Sequence, residues 1–193
     1  MPEIRNEYTI ATGKYIALNK LEYVDRRGTE RCWESADRVN GTPRGSDIPS
    51  AVLIIARIVP DDEIILVRQF RPPAGKLMIE FPAGLVDPGE DIETTAHREL
   101  YEETGYQGKF LFATSAGYSS PGLTGEAVAL CVMEINGADY SEVPQNHQEE
   151  CEDIEVFRVP ISKLADFIAE QEVQNCGVDS KIHTFLALKQ LGW

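Results

Sequence analysis

The chain has 193 residues, a length that suits one domain or one domain with a small appendage, and 42% of them are hydrophobic, which is enough for a packed core. Acidic residues outnumber basic residues by 32 to 18, and the formal net charge is −14. This balance argues against nucleic acid or an anionic membrane as a partner, because both favour basic patches. It suits a protein that gathers carboxylates around a cation, although solubility is the simpler reason for most of the excess.

The chain shows no targeting or membrane-spanning segment. Its first ten residues lack the basic start and apolar run of a secretory signal. The most apolar stretch, 51–59, is interrupted by Arg57 and is far too short to cross a bilayer. The four cysteines have neither close pairing nor the spacing of a zinc site. Reduced thiols in a cytoplasmic protein are therefore the simplest interpretation.

The N-terminal part is predicted to form a β-hairpin. Residues 15–23 alternate between apolar and polar side chains, and a turn and a second strand at 29–39 follow. The next stretch, 40–49, is polar and contains glycine and proline, which predicts a linker. We therefore divide the chain into an N-terminal β-strand region, 1–45, and a main domain, 46–193.

The main domain is predicted to contain both strands and helices. Strands at 51–59 and 63–69 are joined by a turn that begins with Pro60. The helix at 92–104 is followed by Gly105, where a C-terminal cap is expected. The other predicted elements, in chain order, are a strand at 77–81, a loop at 84–90, strands at 110–114 and 127–135, an acidic loop at 140–153, a strand at 154–159, and helices at 161–172 and 179–191. Since these elements follow no regular βαβ rhythm, we expect a mixed sheet packed between helices.

Three carboxylates crowd one face of the helix at 92–104. At roughly 100° per residue, Glu103 lies about 40° from Glu99, and Glu102 lies about 60° to the other side. Without a cation these groups would repel one another and their pKa values would rise. A hard divalent ion removes that conflict, and magnesium commonly binds a few carboxylates together with substrate phosphate. Taken alone, this spacing is also typical of a solvated acidic helix face.

The segment that contains these glutamates has a longer pattern. Residues 84–106 read G-L-V-D-P-G-E-D-I-E-T-T-A-H-R-E-L-Y-E-E-T-G-Y. They resemble the Nudix box, G-x5-E-x7-R-E-U-x-E-E-x-G-U, in which U is a bulky aliphatic residue. Every specified position matches except the last, where Tyr106 should affect packing more than catalysis. The resemblance implies a Nudix hydrolase: an α/β/α sandwich of α+β type with a mixed β-sheet, here preceded by an N-terminal antiparallel β-hairpin.

The same resemblance assigns roles within the box. It implies that the metal ligands are Glu99, Glu102 and Glu103 together with the carbonyl oxygen of Ala83. Two or more Mg²⁺ ions, with Mn²⁺ able to substitute, would be bound there, so that Glu99 and Glu103 also count as catalytic. Glu90 and Arg98 are implied to form a structural pair, in which the arginine reaches back and holds the preceding loop against the helix.

Motifs outside the box narrow the substrate. The S-P-G-x-x-x-E pattern at 120–126 is similar to that of the ADP-ribose pyrophosphatase branch. W-E-S-A-D-R at 33–38, Q-F-R-P-P at 69–73 and I-E-F-P-A-G at 79–84 are similar to the ADP-sugar pyrophosphatases. The resemblance implies that a tryptophan stacks on adenine and that arginines contact the nucleotide and its phosphates. The residues assigned to the substrate on this basis are Trp33, Glu34, Arg38, Arg71, Pro121 and Leu123.

Some of these residues have plainer interpretations. Trp33 taken by itself is more typical of a core or interface tryptophan, and Arg71 by itself of a surface salt bridge. Tyr15 stands where some relatives have a second stacking tryptophan. Relatives of this type form homodimers, in which the N-terminal strands pack across the subunit boundary and complete the partner's site. We expect the same of this chain.

Hydrolysis also needs a carboxylate that deprotonates or orients the attacking water. The acidic loop offers Glu149, Glu150, Glu152 and Asp153, and family position points to Glu152. The histidines, cysteines and serines form no visible nucleophile constellation, so covalent catalysis is not expected.

The interpretation that follows is a Mg²⁺-dependent enzyme that hydrolyses the pyrophosphate of ADP-ribose or a related ADP-sugar to AMP and a sugar phosphate. One alternative is a Nudix hydrolase for another sugar nucleotide, such as GDP-mannose, or for an oxidised nucleoside diphosphate. The other is a non-catalytic, nucleotide-sensing Nudix module. Such modules usually have an altered R-E-x-x-E-E core, whereas Arg98, Glu99, Glu102 and Glu103 are all present here.

Overall fold

The protein is described by a computed structural model, which covers residues 1–148 and 152–192. The chain divides into two compact units. The first consists of Met1–Ala51 and Ser115–Ala129, and the second of Val52–Thr114 and Leu130–Trp193.

The first unit is built on a three-stranded antiparallel sheet. Its strands are β1 (Glu3–Thr12), β2 (Ile16–Val24) and β3 (Glu30–Arg38), in the order β1-β2-β3. Asp25 stabilises the turn between β2 and β3, since its Oδ1 accepts hydrogen bonds from the backbone N–H groups of Arg27 and Thr29. The predicted hairpin is therefore present.

Strand β1 was not predicted. All of its residues are exposed, and its register against β2 shifts between Ile4 and Asn6 and again between Thr9 and Ala11. The apolar residues Ile4, Tyr8 and Ile10 do stand at even positions among polar neighbours, so the sequence carries a signal for this strand that was not used. A two-residue strand, β9 (Gly117–Tyr118), pairs with Val128 and Ala127 in the same unit and was also not predicted.

Within the described residues, the second unit contains a mixed sheet and three α-helices. Its strands are β4 (Ala51–Val59), β5 (Glu63–Arg71), β6 (Lys76–Glu80), β7 (Ala83–Leu85), β8 (Lys109–Ala113), β10 (Ala127–Asn136, which begins in the first unit), β11 (Glu155–Pro160) and β12 (Gly177–Val178). The main order is β12-β6-β5-β4-β10-β8, with β11 paired to β5 and β7 to β4. The helices are α1 (Ile92–Thr104), α2 (Leu164–Val173) and α3 (Ser180–Gln190), and a short 3₁₀ turn, Ile161–Lys163, precedes α2.

The sheet is mixed because β12 runs parallel to β6 whereas β5 runs antiparallel to β6. This confirms the predicted fold class. The loop predicted at 84–90 is wrong at its start, because Gly84 and Leu85 belong to β7. Next to that strand, the N–H of Ile54 donates to the carbonyl of Pro82 over 2.8 Å. A three-residue strand that contains glycine carries too little alternation to be recognised from sequence.

The core of the second unit is aliphatic. Its fully buried side chains include Ile54, Ile65, Leu66, Ile79, Leu100 and Met133. Tyr106, the departure from the Nudix pattern, is also fully buried, and its ring lies 4.8 Å from that of Tyr140 in an edge-to-face arrangement. The packing role expected of this tyrosine is thus present.

Two general features of the chain can be compared with their predictions. None of the helices in the described ranges is both long enough and apolar enough to cross a membrane. Three cysteines of that part of the chain, Cys32, Cys131 and Cys176, are free thiols. Cys151 lies outside the described residues.

Candidate functional site

Helix α1 carries the three box glutamates, Glu99, Glu102 and Glu103, and is capped at both ends. Asp91 caps its N-terminus, where Oδ1 accepts from the N–H of Thr94 over 2.8 Å. Gly105 ends the helix in the left-handed region at φ 73°, and its N–H donates to the carbonyl of Tyr101. A Cβ atom on Gly105 would also lie 2.3 Å from the carbonyl oxygen of Gln145. Glycine is therefore needed both for the backbone angle and for the close approach of a second segment.

Glu103 is the most deeply buried of the predicted metal ligands. The residue is 3% exposed, and one carboxylate oxygen accepts a hydrogen bond from the N–H of Ala83 over 3.1 Å. Burial raises the pKa of Glu103 to about 8, the charges of Glu99 and Glu152 add to the effect, and the Ala83 N–H and Arg71 oppose it. A carboxylate placed so unfavourably for its own ionisation is stabilised if a cation binds beside it.

Glu99 occupies space that exists only because residue 84 is glycine. A Cβ atom on Gly84 would lie 1.8 Å from Cδ of Glu99. Burial raises the pKa of Glu99, the neighbouring Arg98 lowers it, and the charges of Glu102 and Glu152 raise it again. The first glycine of the box therefore makes room for the carboxylate of Glu99, the first of the predicted metal ligands.

Arg98 ties the loop before α1 to the helix. Its Nε and Nη2 donate to the carboxylate of Glu90 over 3.0 and 2.9 Å, and Nη2 also donates to the carbonyl of Leu85 over 3.0 Å. The hydrogen bonds and charge of Arg98 lower the pKa of Glu90. Thr95 Oγ1 adds a further hydrogen bond to Glu90. These contacts are the ones that a structural Glu90–Arg98 pair requires.

Arg98 makes a second set of contacts, which we did not predict. Its Nη1 donates to Glu99 over 2.8 Å and to Glu102 over 3.0 Å. Arg98 reaches Glu102 because residues at i and i+4 share a helix face, and it reaches Glu99 as its sequence neighbour. Its guanidinium group therefore neutralises two of the three predicted metal ligands, and a bound cation would compete with it for their carboxylates.

The donor set fits a hard divalent ion. The predicted donors are three carboxylates and the backbone carbonyl of Ala83. All of them are oxygen ligands, which magnesium and manganese prefer. Within residues 1–148 and 152–192, no three acidic, histidine or cysteine side chains converge closely enough to hold an ion as they stand. The carboxylates of Glu99 and Glu102 nevertheless lie close to each other, because both accept a hydrogen bond from the same guanidinium nitrogen of Arg98.

Arg71 lies near the same carboxylates. It forms an ion pair with Glu80, Nε to Oε2 over 2.8 Å, while its side chain remains 43% exposed. Its charge also lowers the pKa of Glu103, although burial is the dominant influence on that group. The ion pair matches the plainer interpretation of Arg71, and the exposed remainder of its guanidinium group leaves donors for a phosphate.

The acidic loop contributes Glu152. This side chain is half-buried, and its charge contributes to raising the pKa values of both Glu99 and Glu103, after the larger effect of burial. Asp153 is exposed. The other two candidates for the base, Glu149 and Glu150, lie outside the described residues.

In the first unit, Trp33 is held by its edge. The indole Nε1 donates to the carbonyl of Gly122 over 3.0 Å, while half of the residue stays exposed. The neighbouring residues Glu34, Pro121 and Leu123 are also exposed or partly so. An indole that is hydrogen-bonded at one edge and half exposed is suited to stacking on a planar ring. Tyr15 is 67% exposed, with Lys14 Nζ 4.7 Å from its ring centroid.

The loop at 119–126 is hydrogen-bonded to residues of β3. The N–H of Ala36 donates to the carbonyl of Leu123 over 2.9 Å, and Arg38 Nε donates to Glu126 over 2.7 Å. Arg38, a predicted substrate contact, therefore already has a carboxylate partner in the same motif. Beside these residues lies a cavity of about 320 Å³, lined in part by Asp37, Arg38, Arg44, Ser50, Thr124 and Glu126.

Asp37 is a member of this region that the sequence did not single out. Its Oδ1 accepts from the N–H of Gly125, and its Oδ2 accepts from Ser35, Asn19 and Arg44. Burial raises its pKa, but these hydrogen bonds outweigh that effect and hold the pKa of Asp37 well below its usual value. Arg44 lies in the predicted linker, so no sequence signal linked it to Asp37.

Comparison with known proteins agrees with this geometry. Residues 47–174 match the NUDIX domain family. The ADP-ribose pyrophosphatase of Saccharomyces cerevisiae is 36% identical over 182 residues, which cover 93% of this chain and 79% of that protein. The ADP-sugar pyrophosphatase of Mus musculus is 34% identical over 192 residues, which cover 96% and 87%. A crystal structure of an ADP compounds hydrolase superposes with a TM-score of 0.64 at 25% identity, covering 87% of this chain and 83% of that one.

Proposed function

This chain belongs to the NUDIX family and is a hydrolase, and from that premise we propose that it hydrolyses the pyrophosphate of ADP-ribose or a related ADP-sugar. Water adds across the P–O–P bridge, so ADP-ribose gives AMP and ribose 5-phosphate. The observation that carries the proposal is that Trp33, held by its edge on Gly122 of the S-P-G motif, occurs in the same chain as a complete set of box glutamates. Relatives named for ADP-ribose and ADP-sugars, at 36% and 34% identity, support the choice of nucleotide.

The residues proposed to hold the metal are Glu99, Glu102, Glu103 and the carbonyl of Ala83. We propose Mg²⁺ as the ion, with Mn²⁺ able to substitute, because both accept an all-oxygen donor set. When bound, such an ion neutralises charge on the phosphates and lowers the pKa of a water molecule.

Glu152 is the proposed general base. It would accept the proton of the attacking water, which is the role that a carboxylate near a phosphate can perform without a covalent intermediate. Its support is electrostatic: the charge of Glu152 contributes, after the larger effect of burial, to raising the pKa values of both Glu99 and Glu103.

Substrate recognition is divided among the remaining site residues. Trp33 would stack on adenine, and Glu34 with the loop residues Pro121 and Leu123 would border the base. The guanidinium groups of Arg38 and Arg71 would bind phosphate oxygens. Each arginine has one nitrogen in an ion pair, with Glu126 and Glu80 respectively, which fixes its orientation and leaves other donors for the ligand.

We further propose that the protein is a cytoplasmic homodimer that uses the N-terminal region, 1–45, as its interface, with neither nucleic acid nor membrane as a partner. The sheet of the first unit exposes several large apolar side chains, which a second copy would cover. They are Ile4, Tyr8, Ile10, Ile16, Leu18 and Trp33.

A substrate panel tests the proposed specificity. Purified protein with Mg²⁺ is given ADP-ribose, another ADP-sugar, GDP-mannose and an oxidised nucleoside diphosphate, and kcat/KM is measured for each, with EDTA as the control. We expect the two adenine substrates to be preferred and EDTA to abolish turnover. Preference for GDP-mannose or for the oxidised nucleotide would replace the proposed substrate while leaving the reaction class intact.

A further inference from the structure

The segment that leads to Glu152 lies directly on helix α1. The backbone N–H of His147 donates to the carbonyl of Glu102 over 2.7 Å. The rings of His147 and Tyr101 are stacked, with centroids 4.4 Å apart and an interplanar angle of 20°. Together with the close approach of Gln145 to Gly105, these contacts attach the segment to the last turn of the helix that carries the box glutamates.

Two side chains of that segment then bind the backbone of Ile154. Gln148 Oε1 accepts from the N–H of Ile154 over 2.7 Å, and Asn146 Nδ2 donates to the carbonyl of Ile154 over 3.0 Å. Ile154 itself is buried, at 5% exposure. We call this arrangement the Ile154 clamp; it consists of Asn146, Gln148 and the two backbone polar groups of Ile154.

Ile154, the residue that the clamp holds, lies two residues after Glu152. We propose that Gln148, assisted by Asn146, is a positioning residue that fixes the backbone after Glu152 and so holds the Glu152 carboxylate in its working position relative to Glu99 and Glu103. The inference rests on the proposed function, in which Glu152 is the general base. A base must lie within hydrogen-bond reach of the water that it deprotonates, and a displacement of about 1 Å can cost about 100-fold in rate.

Gln148→Leu removes the acceptor while keeping a similar volume, so it should lower kcat by about 10- to 100-fold and leave KM for ADP-ribose within about two-fold. Gln148→Glu retains an oxygen acceptor for the Ile154 N–H and should recover most of the lost kcat. Gln190→Leu, the same change at an exposed position on α3, is the matched control. Equal loss in Gln148→Leu and Gln148→Glu would overturn the proposal.

A double-mutant cycle separates positioning from general destabilisation. If Gln148 acts through Glu152, then adding Gln148→Leu to Glu152→Gln should cause no further loss of kcat, because the group being positioned is already absent. If Gln148 merely stabilises the fold, the same fold-loss should appear in both backgrounds, and the proposal would be wrong.

Amide hydrogen exchange tests the clamp without any substrate. The Ile154 N–H should exchange at least about ten-fold faster in Gln148→Leu than in wild type, while the amides of α3 are unaffected. Unchanged exchange would overturn the clamp. If wild type is inactive on ADP-ribose while Gln148→Leu still shows the faster exchange, the proposed function is wrong but the clamp is present. The two failures are therefore distinguishable.

Discussion

Glu99 fits against β7 only because Gly84 has no side chain: a Cβ atom there would lie 1.8 Å from Cδ of the glutamate. The two residues are well separated in the sequence but belong to the same box. Their contact gives a physical reason for a glycine that sequence patterns record without explanation, because any larger residue would displace a proposed metal ligand.

Gly84→Ala should therefore act on chemistry more than on folding. The added methyl group must push the Glu99 carboxylate away, and we expect kcat/KM to fall by at least about 100-fold. Gly117→Ala is the control, since a Cβ atom there meets nothing closer than 3.8 Å. Steady-state kinetics and thermal unfolding of both variants provide the measurement. Wild-type kinetics in Gly84→Ala would show that Glu99 is not needed where the structure places it.

Glu152→Gln should reduce kcat by about 10²- to 10⁴-fold with little change in KM, because the amide cannot accept a proton but keeps the size of the side chain. Glu142→Gln, an exposed position of the same loop, should behave as wild type. If kcat is unaffected, the base is another carboxylate of the loop.

Trp33→Ala should weaken substrate binding. A stack between an aromatic side chain and a base contributes about 1–3 kcal/mol, so we expect KM for ADP-ribose to rise by about 10- to 100-fold with kcat nearly constant. Trp33→Phe should keep part of the affinity, although it loses the hydrogen bond to Gly122. An unchanged KM in Trp33→Ala would show that Trp33 does not stack on the substrate and would favour its interpretation as an interface tryptophan.

The lowered pKa of Asp37 should make the free energy of unfolding depend on pH. Its pKa in the folded protein lies below the ordinary value of 3.8, so its contribution is fully present above that pH and is lost as the pH falls toward the folded value. At pH 7, the free energy of unfolding of Asp37→Asn should be about 1–2 kcal/mol lower than that of wild type. This difference should shrink below about pH 4. Urea unfolding from about pH 3 to pH 7 measures this, with Asp47→Asn, an exposed position, as the control. A difference that is constant with pH would contradict the assigned hydrogen bonds.

Helix α1 illustrates what sequence can predict. Good helix formers, an aspartate at the N-cap and a glycine at the C-cap are all local signals, and the predicted range 92–104 agrees with the observed Ile92–Thr104. Because these signals fix the helix, the angular positions of its three box glutamates follow from the sequence alone. The Arg98–Glu90 contact is different: Glu90 lies before the helix, and the pair was predicted from the resemblance to the Nudix box.

Other contacts could not be predicted as directly. The i,i+4 spacing of Arg98 and Glu102 permits their ion pair, but which carboxylates the guanidinium group binds depends on how a flexible side chain is directed. The partnership of Asp37 with Arg44 joins a strand to a segment that the sequence marked only as a polar linker. The two register shifts of β1 against β2 are likewise a property of strand pairing, which a single strand's sequence does not give.

The central claim is that Glu103 supports metal-dependent hydrolysis of ADP-ribose, and the most direct test is the release of AMP by wild type and by Glu103→Gln. The buried amide removes the negative charge but can still accept the hydrogen bond of the Ala83 N–H, so the variant should remain folded in a thermal unfolding scan. We expect wild type to release AMP with Mg²⁺ and to stop when EDTA is added, Glu93→Gln on the exposed first turn of α1 to match wild type, and a folded Glu103→Gln to lose nearly all turnover. Full activity in Glu103→Gln, or AMP release that EDTA leaves unchanged, would contradict the account.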